Sequence, residues 1–334
     1  MKESYLYKKL RDNKVRCDLC NHRCVIEDGS LGKCCVRKNI DGTLYSLVYR
    51  KLISENVDPI EKKPLFHFLP GTLSLSIATV GCNFKCFFCQ NHEISQMPCD
   101  YGRIEGRDVL PEMLVRDAIN YDCKSISYTY TEPTVYFEYA YDTAKLAHEQ
   151  NLKNVFVTNG FMSREALDMI KPYLDAANVD LKSYSEEFYR EKVDGRLKPV
   201  LDNIKLMKEM GIWVEVTTLL IPGLNDSDEE LEKIAGFLSD TGKDIPWHIS
   251  AYFPRYKSTI PPTSVGRIHR AIEIGKKTGL RYVYGGNIPG NESENTYCYN
   301  CGKILVRRFG FSVLENNIKA SKCYSCGALI DGVF

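Results

Sequence analysis

The sequence has no long hydrophobic run and almost no excess of charge of either sign. No stretch approaches the roughly 18 apolar residues that a membrane-spanning helix needs, and residues 1–16 are polar and charged. The 44 Lys and Arg residues nearly balance the 43 Asp and Glu residues, which gives a net charge of +1. We therefore expect neither a membrane protein nor a protein that gathers nucleic acid through a large basic field.

Cysteine, in contrast, is abundant, with 14 residues in a chain of 334. In a cytoplasmic protein the thiols stay reduced, so such residues bind metals more often than they form disulfides. We expect a cytoplasmic, oxygen-sensitive protein whose cysteines hold metal ions or clusters.

The most informative cysteines are Cys82, Cys86 and Cys89, which have C-x-x-x-C-x-x-C spacing and follow an apolar stretch, residues 73–80, that is typical of a strand. Three close thiolates in one loop can each bind one iron of a cubic four-iron cluster, and the fourth iron then has no protein ligand. An open metal position is where a substrate or cofactor can bind. A structural zinc knuckle is the alternative, but no fourth ligand is obvious nearby.

The motif Cys-Asn-Phe-x-Cys-x-x-Cys-Gln-Asn, followed by Ser95 and Gln96, resembles the radical S-adenosylmethionine (SAM) enzymes, and in particular the glycyl-radical activating enzymes. The resemblance implies a [4Fe-4S] cluster on Cys82, Cys86 and Cys89 whose open iron is chelated by SAM. It also implies that an electron from the cluster cleaves SAM to a 5'-deoxyadenosyl radical, and that Phe84 and Phe88 shield the cluster.

The middle of the chain alternates strand-like and helix-like patterns. Repeated strand–helix units predict an α/β fold with a parallel sheet, closing into a full or partial (β/α) barrel. In such barrels, functional residues lie at the carboxyl ends of the strands. We expect four regions: an N-terminal Cys-rich module (1–50), a linker (51–72), the barrel (73–290) and a C-terminal module (291–334).

Several polar residues follow predicted strands, and the resemblance assigns them to SAM binding: Thr131, Glu132, Thr158, Asn159, Asp180, Lys182 and His248. It places Lys182 near the reacting carbon as well, as a catalytic residue. Structural alternatives exist for each group. The Thr131–Glu132 pair would cap a helix that begins at Pro133, Asn159 would form a turn with Gly160, Asp180 and Lys182 would form an ion pair, and His248 would be a satisfied strand residue.

The C-terminal region contains two C-x-x-C pairs, and this pattern predicts a zinc ribbon. The residues are Cys298, Cys301, Cys323 and Cys326. A rubredoxin-like iron site has the same ligands and is the competing interpretation.

The N-terminal region contains a second group, Cys17, Cys20, Cys24 and the neighbouring pair Cys34–Cys35. Four of these five thiolates could bind zinc, which we favour because a fourth ligand is close at hand, or an auxiliary iron-sulfur cluster. His22 is a further possible ligand. Cys99 and Cys123 have no evident partners, so we expect them to be buried thiols.

Taken over the whole chain, this order of modules resembles the radical SAM component of the AmmeMemoRadiSam system. The resemblance implies hydrogen abstraction from a substrate, with a glycine Cα of a partner protein as the simplest target. Radical modification of another protein, peptide or small metabolite is an alternative, and a non-enzymatic metal-binding adaptor is another. We expect a protein or peptide substrate and a low-potential electron donor of the ferredoxin or flavodoxin type.

Overall fold

The computed structural model describes residues 1–288 and 292–334. The boundary predicted between residues 290 and 291 therefore lies outside the described residues. The centre of the fold is a sheet of eight strands, and all neighbouring strands are parallel except at one edge, where Ser54–Pro59 runs antiparallel to Leu73–Ala78. The two edge strands are not paired with each other among the described residues, so the sheet is a partial barrel.

The parallel strands follow one another in the sheet in the same order as in the sequence. They are Leu73–Ala78, Ser125–Tyr128, Lys153–Thr158, Ala176–Asp180, Trp213–Leu220, Trp247–Ala251 and Val283–Gly286. The strands outside this sheet are Lys2–Glu3, Tyr7–Lys9, Val15–Cys17, Val25–Ile26, Arg37–Ile40, Thr43–Ser46, Lys51–Leu52, Arg107–Asp108, Thr296–Tyr297, Ile304–Phe309, Ser312–Asn316, Ile318–Lys319 and Lys322–Cys323.

Helices connect the parallel strands and cover the outside of the sheet. The α-helices are His92–Ser95, Met97–Tyr101, Pro111–Asn120, Phe137–Glu149, Arg164–Ile170, Glu186–Lys192, Leu197–Glu209, Asp228–Thr241 and Val265–Lys277, and the 3-10 helices are Ile60–Lys62, Pro133–Tyr136 and Glu292–Glu294. Within the described ranges, no helix combines the length and apolar character that crossing a bilayer requires.

Serine side chains cap the amino ends of several of these helices. The hydroxyl of Ser163 accepts a hydrogen bond from the backbone of Ala166 at 3.1 Å, and that of Ser227 accepts one from Glu230 at 3.2 Å. Each cap satisfies a backbone N–H group that has no partner within its helix. The alternation of strands and helices predicted from the sequence is therefore confirmed.

Residues 51–72, which we expected to be a linker, contribute to the central sheet. The strand Ser54–Pro59 is mostly polar, and pairing with Leu73–Ala78 determines its conformation. Further along, the buried Glu215 carboxylate accepts hydrogen bonds from the backbone N–H groups of Phe66 (3.0 Å) and His67 (2.8 Å). This segment therefore closes the amino edge of the barrel instead of only connecting two modules.

The N-terminal module packs on the barrel through a buried ion pair. Arg37 donates to Glu138 at 2.7 and 2.9 Å, and both side chains are almost completely inaccessible to solvent. Nearby, the Asn21 side chain donates to the carbonyl oxygen of Met162 at 2.7 Å. The module is thereby attached at the carboxyl edge of the sheet.

The C-terminal module packs against the opposite, amino edge of the sheet. Arg308 is buried, donates to the carbonyl oxygen of Phe66 at 2.8 Å, and lies over the Phe66 ring at 4.2 Å from its centroid. Leu305 and Val306 join the same apolar cluster as Tyr284 of the barrel. This packing supplies the apolar core that a tail of this length lacks on its own.

One cysteine pair differs from the sequence-based expectation. Cys35 and Cys99, 64 residues apart, form a disulfide with a Cα–Cα distance of 5.5 Å. The predictions that no cysteine forms a disulfide and that Cys99 has no partner are therefore wrong, since folding brings two distant segments together. Cys123 is free and buried, as predicted.

Replacement of Glu215 by Ala is expected to lower the free energy of unfolding by about 3–5 kcal/mol. The change leaves four groups without their acceptor: the backbone N–H groups of Phe66 and His67, and the side chains of Trp213 and His248. Glu229→Ala is the control, because this exposed carboxylate has a surface partner only, and its replacement should leave stability nearly unchanged. Chemical denaturation of both variants measures the difference, and equal losses would contradict the structural role of Glu215.

Candidate active site

The loop with Cys82, Cys86 and Cys89 begins where the strand Leu73–Ala78 ends, at the carboxyl edge of the sheet. Backbone hydrogen bonds attach the loop to neighbouring segments: Lys85 N donates to Val193 O at 2.9 Å, and Lys257 N donates to Phe87 O at 3.0 Å. The loop is thus held on both sides, and its conformation is fixed by contacts far away in the sequence.

The three thiols of this loop differ in exposure. Cys86 is buried, whereas Cys82 and Cys89 are partly exposed. Burial raises the pKa of Cys82 well above its usual value, and the nearby Glu132 carboxylate and the other two cysteines raise it further. Burial also raises the pKa of Cys86 to about 12, although the Lys182 ammonium opposes this shift. Metal binding at this loop must therefore displace protons from these thiols.

Hydrogen-bond donors face two of the sulfur atoms. The backbone N–H of Phe84 donates to Cys82 Sγ at 3.4 Å, and the Asn159 amide donates to the same sulfur at 3.8 Å. The hydroxyl of Ser95 lies 3.2 Å from Cys89 Sγ. Such contacts orient thiolate ligands and modulate the potential of an iron-sulfur cluster.

The spacing of these thiols fits a cluster better than a single ion. Among the described residues, only the C-terminal cysteines form a group of three or more His, Cys, Asp or Glu residues whose ligand atoms all lie within 4.8 Å of one another. The three thiols of the catalytic loop do not form such a group. Around one zinc ion, thiolate sulfurs are roughly 3.8 Å apart, as follows from Zn–S bonds of about 2.3 Å. Three thiols spread more widely over one loop suit three different irons of a cluster.

Aromatic side chains close the inner side of the loop. Phe84 and Phe88 are buried, with Phe84 packed 5.0 Å from the Phe161 ring and Phe88 packed 6.0 Å from the Phe188 ring, centroid to centroid. This position agrees with the shielding role that the sequence suggested for both residues.

Glu132 organises the ends of two adjacent strands. Its carboxylate accepts hydrogen bonds from the backbone and hydroxyl of Thr134, from the hydroxyl of Thr158 at 2.8 Å and from the backbone of Asn159 at 2.8 Å. Glu132 therefore caps the helix that begins at Pro133, and its carboxylate has little capacity left for a ligand. The neighbouring Thr131 hydroxyl donates to Thr79 O at 2.8 Å.

Asn159 links this network to the cysteine loop. Its side-chain amide donates to Asn83 Oδ1 at 2.7 Å, beside its contact with Cys82. The following Gly160 has φ +70°, and an added Cβ atom would lie 2.7 Å from Val179 Cγ1. The turn expected from the Asn-Gly pair is present, and only glycine fits its second position without displacement of neighbours.

Asp180 and Lys182 form an ion pair of 2.9 Å beside the loop. Burial lowers the pKa of Lys182, but the charges of Asp180 and Cys86 outweigh this effect, so its pKa is raised overall and the ammonium stays protonated. The side chain of Asp180 is 36% exposed. The pair thus presents a partly accessible carboxylate and a half-buried cation at the carboxyl edge.

His248 is not brought to this site. It is the second residue of the strand Trp247–Ala251, so roughly 10 Å of strand separate it from the carboxyl end. Its Nε2 lies 2.6 Å from Glu215 Oε2, and its ring stacks on Tyr284. The position supports the alternative that His248 is a structural residue of the amino edge.

Asn83 is a site residue that the sequence analysis did not single out. Besides its contact with Asn159, its backbone carbonyl lies 2.7 Å from His22 Nε2 of the N-terminal module. Its place directly after Cys82 in the motif was the available signal. Asn83 thus connects the cysteine loop to the N-terminal module.

The C-terminal cysteines form a compact group of four, as predicted. The sulfur distance is 3.6 Å between Cys298 and Cys326 and 3.7 Å between Cys301 and Cys323, and all four sulfurs lie within 4.8 Å of one another. These distances match the edges of a tetrahedron of thiolates around one ion.

Comparisons with known proteins agree with this geometry. Residues 76–238 match the radical SAM superfamily. An uncharacterized protein of Methanocaldococcus jannaschii is 46% identical over 335 residues, which cover 99% of both chains. A putative glycyl-radical enzyme activating enzyme of the same organism is 32% identical over 182 residues, or 53% of this chain and 67% of the relative.

The chain belongs to the radical SAM superfamily. Among solved structures of this fold, SuiB of Streptococcus suis bound to S-adenosylmethionine aligns with a TM-score of 0.53 and 16% identity, covering 68% of this chain and 53% of SuiB. SuiB bound to its precursor peptide SuiA aligns with a TM-score of 0.51 and 16% identity, covering 69% and 52%. These likenesses show the fold.

Membership in the superfamily implies a [4Fe-4S] cluster and SAM, and the residues present fit both groups. Cys82, Cys86 and Cys89 are free thiols without a fourth cysteine in their loop, so they leave one iron of a cluster open. The Lys182 ammonium and the Asp180 carboxylate lie beside them, with charges opposite to those of the amino acid part of SAM. The chain is a radical SAM enzyme.

The turn at Gly160 provides a test of how the site is supported. Gly160→Ala is expected to destabilise the fold by about 2–4 kcal/mol, because left-handed strain adds to overpacking against Val179. Gly211→Ala is the matched control, since Gly211 also has positive φ (+79°) but an added Cβ atom would meet nothing within 4 Å. We expect a loss of about 1 kcal/mol there. Denaturant midpoints compare the two, and equal losses would show that Gly160 is not sterically required.

Proposed function

We propose that this enzyme abstracts hydrogen from a glycine Cα of a partner protein, as a glycyl-radical enzyme activase does. The observation that carries the proposal is the group of three free thiols, Cys82, Cys86 and Cys89, in one loop at the carboxyl edge of the barrel. The similarity to a putative glycyl-radical enzyme activating enzyme supports this choice of substrate. When bound, the cluster and SAM supply reductive cleavage of SAM to a 5'-deoxyadenosyl radical.

Cys82, Cys86 and Cys89 are the cluster ligands in this proposal. Asn159 and the backbone of Phe84 donate hydrogen bonds to Cys82, and thereby hold this ligand in place. Glu132 acts indirectly, because it fixes the ends of the strands on which Thr158 and Asn159 lie. Thr131 contributes to SAM binding through its backbone, because its hydroxyl already donates a hydrogen bond to the carbonyl oxygen of Thr79.

Lys182 and Asp180 bind the amino acid part of SAM in this proposal. Lys182 carries a positive charge at neutral pH and lies close enough to Cys86 to affect the pKa of that thiol. A cation at this place attracts the carboxylate of SAM, and the partly exposed Asp180 accepts hydrogen bonds from its ammonium group. His248 has no part in SAM binding.

Radical modification of another protein, peptide or small metabolite is the second candidate function. The edge of the site between Tyr128 and Pro133 carries the bulky residue Tyr130, which has φ +61° and donates a hydrogen bond from its hydroxyl to Asp58. This bulky edge of the site favours a substrate other than a glycine Cα. SuiB, a protein of the same fold, has been crystallised with a precursor peptide. A metal-binding adaptor without catalysis is the third candidate.

The arrangement of modules also leads us to propose that this chain is the radical SAM component of an AmmeMemoRadiSam system. The similarity to the Methanocaldococcus jannaschii protein extends over 99% of the chain, so both terminal modules have counterparts in that relative.

We further propose zinc on the C-terminal cysteines, a cytoplasmic location and a low-potential electron donor of the ferredoxin or flavodoxin type.

Anaerobic SAM cleavage is the first test of this function. Wild-type protein, reconstituted with iron and sulfide and reduced with dithionite, is expected to form 5'-deoxyadenosine, whereas Cys86→Ala should lose more than about 100-fold because a cluster ligand is missing. Cys123→Ala is the control, since this buried thiol lies outside all three cysteine groups. Equal product from wild type and Cys86→Ala would overturn the assignment.

Variants of the two basic residues distinguish catalysis from structure. Lys182→Met is expected to raise the KM for SAM at least about 10-fold, because a charge-assisted contact is lost. His248→Gln should leave the KM for SAM unchanged, because the His248 ring contacts Glu215 at the amino edge. An effect of His248→Gln on the KM equal to that of Lys182→Met would contradict these positions.

Products then separate the candidate functions. With a glycyl-radical enzyme as partner, an activase produces a persistent organic radical signal on that partner in electron paramagnetic resonance. A modifying enzyme changes the mass of its product without a persistent radical, and an adaptor forms no 5'-deoxyadenosine with any partner.

A further inference from the structure

The cysteines of the N-terminal module surround one enclosed space next to the catalytic loop. Cys17, Cys20, Cys24 and Cys34 all line this space, and none of them forms a disulfide. Cys35, the fifth cysteine of the module, forms a disulfide with Cys99 and is therefore not a candidate ligand. Folding thus selects four of five candidate ligands and gathers them around one point.

The spacing of these four thiols differs from that of the C-terminal set. In the C-terminal set all sulfur atoms lie within 4.8 Å of one another, whereas no three of the N-terminal sulfurs meet this condition in the described chain. One zinc ion requires sulfur atoms roughly 3.8 Å apart. Thiols that share one space at wider spacing suit a cluster, in which each thiolate binds a different metal atom. The three catalytic sulfurs likewise do not all lie within 4.8 Å of one another.

Two residues that line this space also have buried donors without partners. Arg37 Nε and Asn83 Nδ2 have no hydrogen-bond acceptor among the described residues, and both residues line the space. The other guanidinium nitrogens of Arg37 are used by Ser4, Val135 and Glu138. Buried donors without acceptors are costly, and cluster sulfurs and thiolates accept N–H hydrogen bonds. The unused donors therefore point to an anionic, acceptor-rich ligand between the four cysteines.

We propose that Cys17, Cys20, Cys24 and Cys34 hold a second, four-iron cluster with a protein thiolate on every iron. Such a cluster has no open position, so it does not bind SAM. The site of this cluster adjoins the catalytic loop. Nε2 of His22, a residue of the module, lies 2.7 Å from the carbonyl oxygen of Asn83 in that loop, and Asn83 also lines the space between the four cysteines. The sequence favoured zinc in this module, and the proposal places an iron-sulfur cluster there instead.

Counting acid-labile sulfide tests this proposal directly, because neither a zinc ribbon nor a rubredoxin-like iron contains sulfide. After anaerobic reconstitution, wild-type protein is expected to hold about eight sulfides per chain, as two four-iron clusters require. The triple variant Cys82→Ala, Cys86→Ala, Cys89→Ala should keep about four, together with the electron paramagnetic resonance signal of a reduced cluster. Cys123→Ala is the control and should match wild type.

The reciprocal variant, Cys20→Ala with Cys24→Ala, should also keep about four sulfides, now on the catalytic loop. About four sulfides in wild type and none in the triple variant would overturn the proposal, whatever the folding of the reciprocal variant. About two zinc ions per chain in that same triple variant would assign zinc to the N-terminal cysteines instead. These readouts do not depend on SAM cleavage, so they hold even if the proposed activase function fails.

Discussion

Three buried or half-buried thiols that must face one point impose the main constraint on this structure. Burial makes the thiols Cys82 and Cys86 of this loop harder to ionise than in water. The surrounding chain compensates with contacts from distant segments: backbone bonds from Lys85 to Val193 and from Lys257 to Phe87, and the amide of Asn159 on Cys82. The parallel sheet matters because it brings the ends of several strands to the same edge as this loop.

The three groups of cysteines divide by their place in the fold and by their spacing. The C-terminal set, with sulfur distances suited to one ion, belongs to a module that packs on the amino edge through Arg308 and Phe66. The N-terminal set belongs to a module at the carboxyl edge, beside the catalytic loop. The two terminal sets thus lie at opposite edges of the sheet, and Glu215, His67 and His248 interact with one another at the amino edge.

Much of this organisation could be predicted from the sequence, because it depends on local signals. The cysteine spacing, the alternation of strands and helices, and the caps at Ser163 and Ser227 are all properties of short segments. Family resemblance added the residues of the carboxyl edge. It also suggested His248, but the strand register places that residue near the amino edge and beside Glu215.

The features that could not be predicted depend on contacts between distant residues. Ser54–Pro59 is rich in polar residues and becomes a strand only because Leu73–Ala78 offers a free edge. The Cys35–Cys99 disulfide joins residues 64 positions apart, and no local pattern marks it. Likewise, the spacing of the N-terminal thiols follows from how the module folds on the barrel. It could not be read from the intervals between cysteines in the sequence.

The most direct measurement of the central claim is the response of the catalytic cluster to SAM. Electron paramagnetic resonance spectra of reduced wild-type protein are recorded with and without SAM, and the same pair of spectra is recorded for the variant with Ala at positions 82, 86 and 89. The account predicts that SAM changes the wild-type spectrum, because SAM occupies the open iron, and that it leaves the variant's spectrum unchanged. A wild-type spectrum that does not respond to SAM, in protein shown by equilibrium dialysis to bind it, would contradict the account.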